Sequence, residues 1–148
     1  MGLDKMDMDV QIRRNRKFDK KFLKDETVQV GWFSGNKYTD GASVASVAAM
    51  LEYKSPWPFM RPCEQKNKQH WGELIKRLCR QAISEGKGID TAMMMLGEKA
   101  KGDIQSEINS IVTPPNKPST AKRKGFNKPL IDTGHMIGSI QSRLKTEK

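Results

Sequence analysis

Histidine, cysteine and aspartate are among the side chains of this chain with catalytic or ligating chemistry, and their spacing argues against its use. The two histidines, His70 and His135, stand in no HExxH and beside no CxxC, so neither has the partners that a zinc site needs. Cys63 and Cys79 form no CxxC pair, and spacing alone does not argue a disulfide between them. Buried free thiols are the expectation. Asp132-Thr133-Gly134 is a tripeptide also found in aspartic proteases, whose chemistry needs two such carboxylates sharing a proton, and it occurs here once. Its expected role is structural: Asp132 or Thr133 caps a short helix, and Gly134 permits close packing. Gly31, Gly35 and Gly41 make no GxGxxG or Walker loop, and Gly125 follows no predicted strand. The sequence therefore predicts no catalytic residue, no metal site and no cofactor, that is, a protein that is not an enzyme.

Charge is the stronger signal. The chain carries a net charge of +10 over 148 residues, which means attraction to a polyanion or to an acidic partner surface. Arg13, Arg14, Arg16, Lys17, Lys20, Lys21 and Lys24 crowd one end. Lys117, Lys122, Arg123, Lys124 and Lys128 sit near the other, with no acid among them. The first run is either a solvated helix face or an electrostatic footprint. The Lys122-Arg123-Lys124 cluster is the better candidate contact, because prolines on both sides put it on a long loop. No apolar run approaches the roughly 20 residues of a membrane helix, and the opening MGLDKMDMDV is acidic where a leader would be basic. A soluble, unsecreted protein is expected. Met6 stands where a myristoylation signal needs Ser or Thr.

These residues must be positioned by one domain, expected over residues 10–148 behind a flexible N-terminus at 1–9. Val10, Arg14, Phe18 and Phe22 give residues 10–23 the spacing of a basic helix with a thin apolar stripe. Val28, Val30 and Trp32 alternate through a strand at 27–33, and residues 34–41 form a turn. Val44, Val47, Ala48 and Leu51 mark one face of a helix over 43–53. Three prolines in PWPFMRP predict a stiff, non-helical loop at 56–62 carrying Trp57, Phe59, Met60 and Arg61. Its bulky groups either anchor in their own core or project into a neighbouring subunit.

A helical hairpin follows. Its first helix runs from Trp71 through Leu74, Ile75, Leu78, Cys79 and Ala82 and ends near Gly86 and Gly88. The second is capped by Asp90 and striped by Met93, Leu96, Ala100, Ile104, Ile108 and Ile111 until Pro114 stops it, and it is expected to be the longest element. Residues 113–129 read as a structureless basic loop. A short helix at 135–138 and a strand at 139–145, paired with VQVGWF, close the chain. The fold class is α+β: a small few-stranded, largely antiparallel sheet flanked by helices that include the hairpin, with a long basic loop.

The order PPNKPST, then RKG, then PLIDTGHMIGSI over residues 114–140 resembles the tail-completion, or putative tail-component, proteins of long-tailed bacteriophages. VQVGWF, DGASVASVAAMLEY and PWPFMRP are similar to that family's strand, first helix and proline-rich turn, so the resemblance spans residues 10–145. Lys54-Ser55 and Phe126-Asn127 depart from its pattern within loops. The resemblance implies a structural virion protein of the neck or upper tail, made in the host cytoplasm. Copies would close into a ring, a hexamer or dodecamer, that completes the tail and allows head joining. Its partners would be itself, a tail-terminator or tail-tube protein, and a head-completion or connector protein, with no membrane. Under that reading Trp57, Phe59 and Met60 meet the next subunit. Arg61, Lys122, Arg123, Lys124 and Lys128 face partners or packaged DNA without reading its sequence. The competing reading is a small basic, sequence-independent DNA-binding protein with no virion role. Against it, no standard DNA- or RNA-binding motif appears.

Overall fold

Alternating β-branched and aromatic residues make a strand wherever one face can be buried, and both expected strands are present in the computed structural model, which describes residues 26–125, 127 and 134–146. The basic helix expected at 10–23 lies outside the described residues, as do Lys128, Asp132 and Thr133. Strand β1 (Glu26–Gly31) pairs antiparallel with β2 (Gln141–Thr146), placing Val28 opposite Leu144 and Val30 opposite Ser142. Two strands alone are marginal in water and need a packed face. Here helices provide it, and the fold is α+β.

Helix α1 (Val44–Lys54) starts at Ser43, whose Oγ accepts the Ser46 N–H at 3.4 Å. Its inward stripe is Val44, Ala48 and, less expectedly, Glu52, all buried. Helices α2 (Met60–Ser84) and α3 (Ile89–Ser110) form the hairpin. Gly86, at φ +70°, lets the chain leave α2 while Lys87 N–H donates to the Ala82 carbonyl and Gly86 N–H to that of Ile83. Those bonds satisfy carbonyls that the helix end would otherwise orphan. Helix α3 packs against α2 on one side and both strands on the other. Gly97 allows that approach: a Cβ there would sit 2.7 Å from Val28 Cγ2 and 3.0 Å from Ser142 Cβ.

The main core joins Val44, Ala48, Phe59, Cys63, Ile104, Ile108, Met136 and Ile140, and a smaller cluster of Leu78, Cys79, Ala82 and Ala92 fills the far end of the hairpin. Phe59 is fully buried, which is worth about 1.5–3 kcal/mol relative to exposure. The Trp32 ring meets it edge-on at 5.5 Å, and the Trp32 indole N–H donates to the Met136 carbonyl at 2.7 Å. No helix among the described residues is long and apolar enough to cross a membrane.

The structure corrects four expectations. PWPFMRP is not wholly non-helical: α2 begins at Met60 and takes in Pro62, because a first-turn residue has no intrahelical use for the N–H that proline lacks. Helix α2, with 25 residues, therefore exceeds α3, with 22. The cap position of α3 is Gly88, and Asp90 lies in the first turn, where its charge favours the helix dipole. Residues 113–129 are not structureless either: α4 (Pro118–Lys124) opens on a proline and closes at Gly125, φ +78°. The short helix α5 (His135–Gly138) falls where expected, with Gly134 at its cap position at φ +77°.

Candidate functional site

Small residues on α1 leave room that bulkier ones would fill. Ala45, Ala48 and Ala49 form one wall of an apolar groove of about 730 Å³. Strand β1 and the residue after it add Val28, Val30 and Trp32, α2 adds Met60 and Trp71, and α3 adds Leu96, Ala100 and Ile104. Trp71 is held in place by its indole N–H, which donates to Asp103 Oδ2 at 2.8 Å. Tyr53, which also lines the groove, is 70% exposed, and Met50 of the same helix is 56% exposed.

Of the charged residues that line the groove, Glu52, Arg61, Glu64 and Lys68, only Glu52 is buried. Its Oε2 accepts the backbone N–H groups of Phe59 and Met60 at 2.8 and 2.9 Å. Oε1 accepts the Arg61 N–H at 3.1 Å and Arg61 Nε at 2.9 Å. The arginine also donates from Nη2 to the Glu52 carbonyl at 2.8 Å and lies over the Tyr53 ring, 5.2 Å from its centre. The last turn of α1 thus caps the start of α2, which has no side-chain cap of its own. Burial alone would push this carboxyl's pKa up, but the bonds from Phe59, Arg61 and Met60 outweigh it and hold the group below the usual glutamate range. Four donors occupy the roughly four lone-pair positions of a carboxylate. Glu52 is a clamp, with no acceptor position left for a substrate proton.

Of the residues expected to make contacts, Arg61 stands at the groove and Met60 lines it half-buried. Phe59 is 0% exposed, so the expectation that it meets a neighbouring subunit is corrected: its ring belongs to the chain's own core. Trp57 is half-buried and donates its indole N–H to the Pro114 carbonyl at 2.6 Å, fastening the proline turn to the segment after α3. Lys122 and Arg123 are exposed and Lys124 half-buried in the last turn of α4, and none of the three lines the groove. Lys128, Asp132 and Thr133 lie outside the described residues, and Gly134 opens α5.

Cys63 and Cys79 are buried free thiols. Burial pushes both pKa values up, and at Cys63 the carboxylates of Glu107 and Asp103 add to it. Exposed His135 rests at a tilt on the Tyr38 ring, 5.2 Å between centres. Among the described residues no group of three or more His, Cys, Asp or Glu is placed to hold a metal ion.

Sequence reasoning missed Glu52. The available signal was its position: with Val44 and Ala48 it completes a four-residue spacing along the apolar face, just ahead of the proline turn. An acid on such a face must find donors, and the nearest are those of the following helix start. Compared with family models, with curated proteins and with solved structures, the chain gives no match.

Proposed function

We propose that this chain is a structural protein of a phage neck or upper tail, which closes with copies of itself into a ring, completes the tail and lets a DNA-filled head join it. The observation that carries this reading is the order of the PPNKPST, RKG and PLIDTGHMIGSI blocks behind the VQVGWF strand and the PWPFMRP turn. The groove supports it as a contact surface: it is mostly apolar, its buried carboxylate is fully engaged, and the exposed ring of Tyr53 is part of its lining. A second copy of the chain is the occupant that a ring requires. The basic cluster of Lys122, Arg123 and Lys124 adds a charge that a ring would multiply by its subunit number, toward packaged DNA or an acidic neighbour.

Electron microscopy of particles from a phage or prophage whose copy of this gene carries a stop codon, beside a complemented control, tests the reading. Filled heads lying apart from unjoined or malformed tails are expected. Intact, infectious particles would overturn it and leave sequence-independent DNA binding as the function to pursue.

A further inference from the structure

The two helices of the hairpin carry opposite charge. Helix α2 holds Arg61, Lys66, Lys68, Lys76, Arg77 and Arg80 against Glu64 and Glu73, whereas α3 holds Lys99 and Lys101 against Asp90, Glu98, Asp103 and Glu107. Where the two helices meet, that difference is used: Lys66 of α2 donates to Glu107 of α3 at 2.7 Å. Within α3, Lys99 pairs with Asp103 and Lys101 with Glu98, so both of its cations are neutralised.

The other end of α2 is different. Lys76, Arg77 and Arg80 are exposed and form no ion pair with any described residue. At 3.6 residues per turn, 1.5 Å each, the three fall within about 100° of the helix circumference and about 6 Å of its length. Leu78, Cys79 and Ala82 are buried in the hairpin's second core cluster, and that packing fixes the opposite face outward. Glu73 stands four residues before Arg77, the arrangement in which a glutamate best pairs with a following cation, and makes no bridge to it. Lys76 and Arg80, one turn apart, repel each other, as do Arg77 and Arg80. A fold that pairs both cations of α3 leaves a self-repelling trio on α2, and an external polyanion relieves that repulsion.

We infer that this face of α2 binds the phosphate backbone of duplex DNA without reading its sequence. The face has no exposed large apolar residue: those of the described chain are Met50, Tyr53, Met94, Met95 and Val112. It therefore lacks the apolar centre of a protein interface and the aromatic platform of a single-strand binder. Long flexible cations gathered on a rigid helix suit a phosphate backbone. This surface lies on a different helix from the Lys122-Arg123-Lys124 cluster, and the inference does not require a ring.

The test is fluorescence anisotropy of the full-length protein with two labelled duplexes of unrelated sequence across a salt series. The wild-type chain is compared with a Lys76→Gln, Arg77→Gln, Arg80→Gln variant. A Lys66→Gln, Lys99→Gln, Lys101→Gln variant removes the same charge from cations already paired within the fold, and circular dichroism checks that both variants are folded. The expected result is equal affinity for both duplexes, a slope of log K against log salt that falls by about 2–3 in the α2 variant, and a near-wild-type slope in the control. An α2 variant with the wild-type slope overturns the inference, and so does a control that loses as much, since net charge alone would then explain binding. Tighter binding to single-stranded DNA, to RNA or to an acidic protein also overturns it. The assay needs no phage. A chain that binds in this way yet is dispensable for the particle loses only the virion reading, and one that is essential for joining while its α2 variant binds unchanged loses only this one.

Discussion

Glu52 shows how one side chain can decide where a helix starts. Phe59, Met60 and Arg61 present three N–H groups that α2 cannot satisfy internally, and one carboxylate from the previous helix takes all three. Glu52→Ala leaves them orphaned beside a buried cavity and should cost about 2–3 kcal/mol in denaturant unfolding. Glu52→Gln keeps the shape but turns an N–H donor toward other donors, so it should lose less than alanine and still more than a surface change. The pH dependence has a defined sign. A carboxyl whose folded pKa is depressed contributes fully above its unfolded pKa and loses that contribution as pH falls through the folded value. The difference in stability between wild type and Glu52→Gln should therefore be flat above about pH 5 and shrink below it. A difference that grows on acidification would contradict the clamp.

Between elements, α3 approaches the sheet closely at Gly97, which sets up a comparison within one helix. Glycine to alanine in a helix interior normally stabilises by about 1 kcal/mol. Gly102→Ala should show that gain, since a Cβ there meets nothing within 4 Å. Gly97→Ala should instead destabilise by about 1–3 kcal/mol, because Val28 and Ser142 would have to move apart. Thermal unfolding of the two variants checks both signs, and a stabilising Gly97→Ala would mean that helix and sheet are less tightly joined. Local signals of this kind made much of the fold legible. Alternation marked both strands, the apolar spacing marked α1, and the Gly86 and Gly88 pair marked the hairpin turn. The start of α2 was not legible, because Pro62 was read by its usual effect on a helix interior and only its place in the first turn makes it harmless. The groove and the unpaired state of Lys76, Arg77 and Arg80 were hidden for a related reason. Each depends on where several elements meet, and on which charges that meeting neutralises, which no local pattern records.

For the whole molecule, the proposed ring would seat a neighbouring copy in the groove, and the groove's alanine wall gives a way to ask. Ala49 is exposed and lines the groove, while Ser46, also exposed on α1, does not line it. Arginine is nearly as good a helix former as alanine, so neither Ala49→Arg nor Ser46→Arg should change stability by more than about 0.5 kcal/mol. Their effects on assembly should differ. A guanidinium placed in the groove of one copy takes the space that a neighbour's apolar group would fill and leaves a charge to be desolvated. If the proposed ring is correct, Ala49→Arg should therefore sediment as a folded monomer at concentrations where wild type and Ser46→Arg assemble, and only Ser46→Arg should restore infectious particles to a strain lacking the gene. If Ala49→Arg assembles like wild type, the groove is not the seat of the neighbouring copy, and the ring contact must be sought on the exposed methionines of α3 instead.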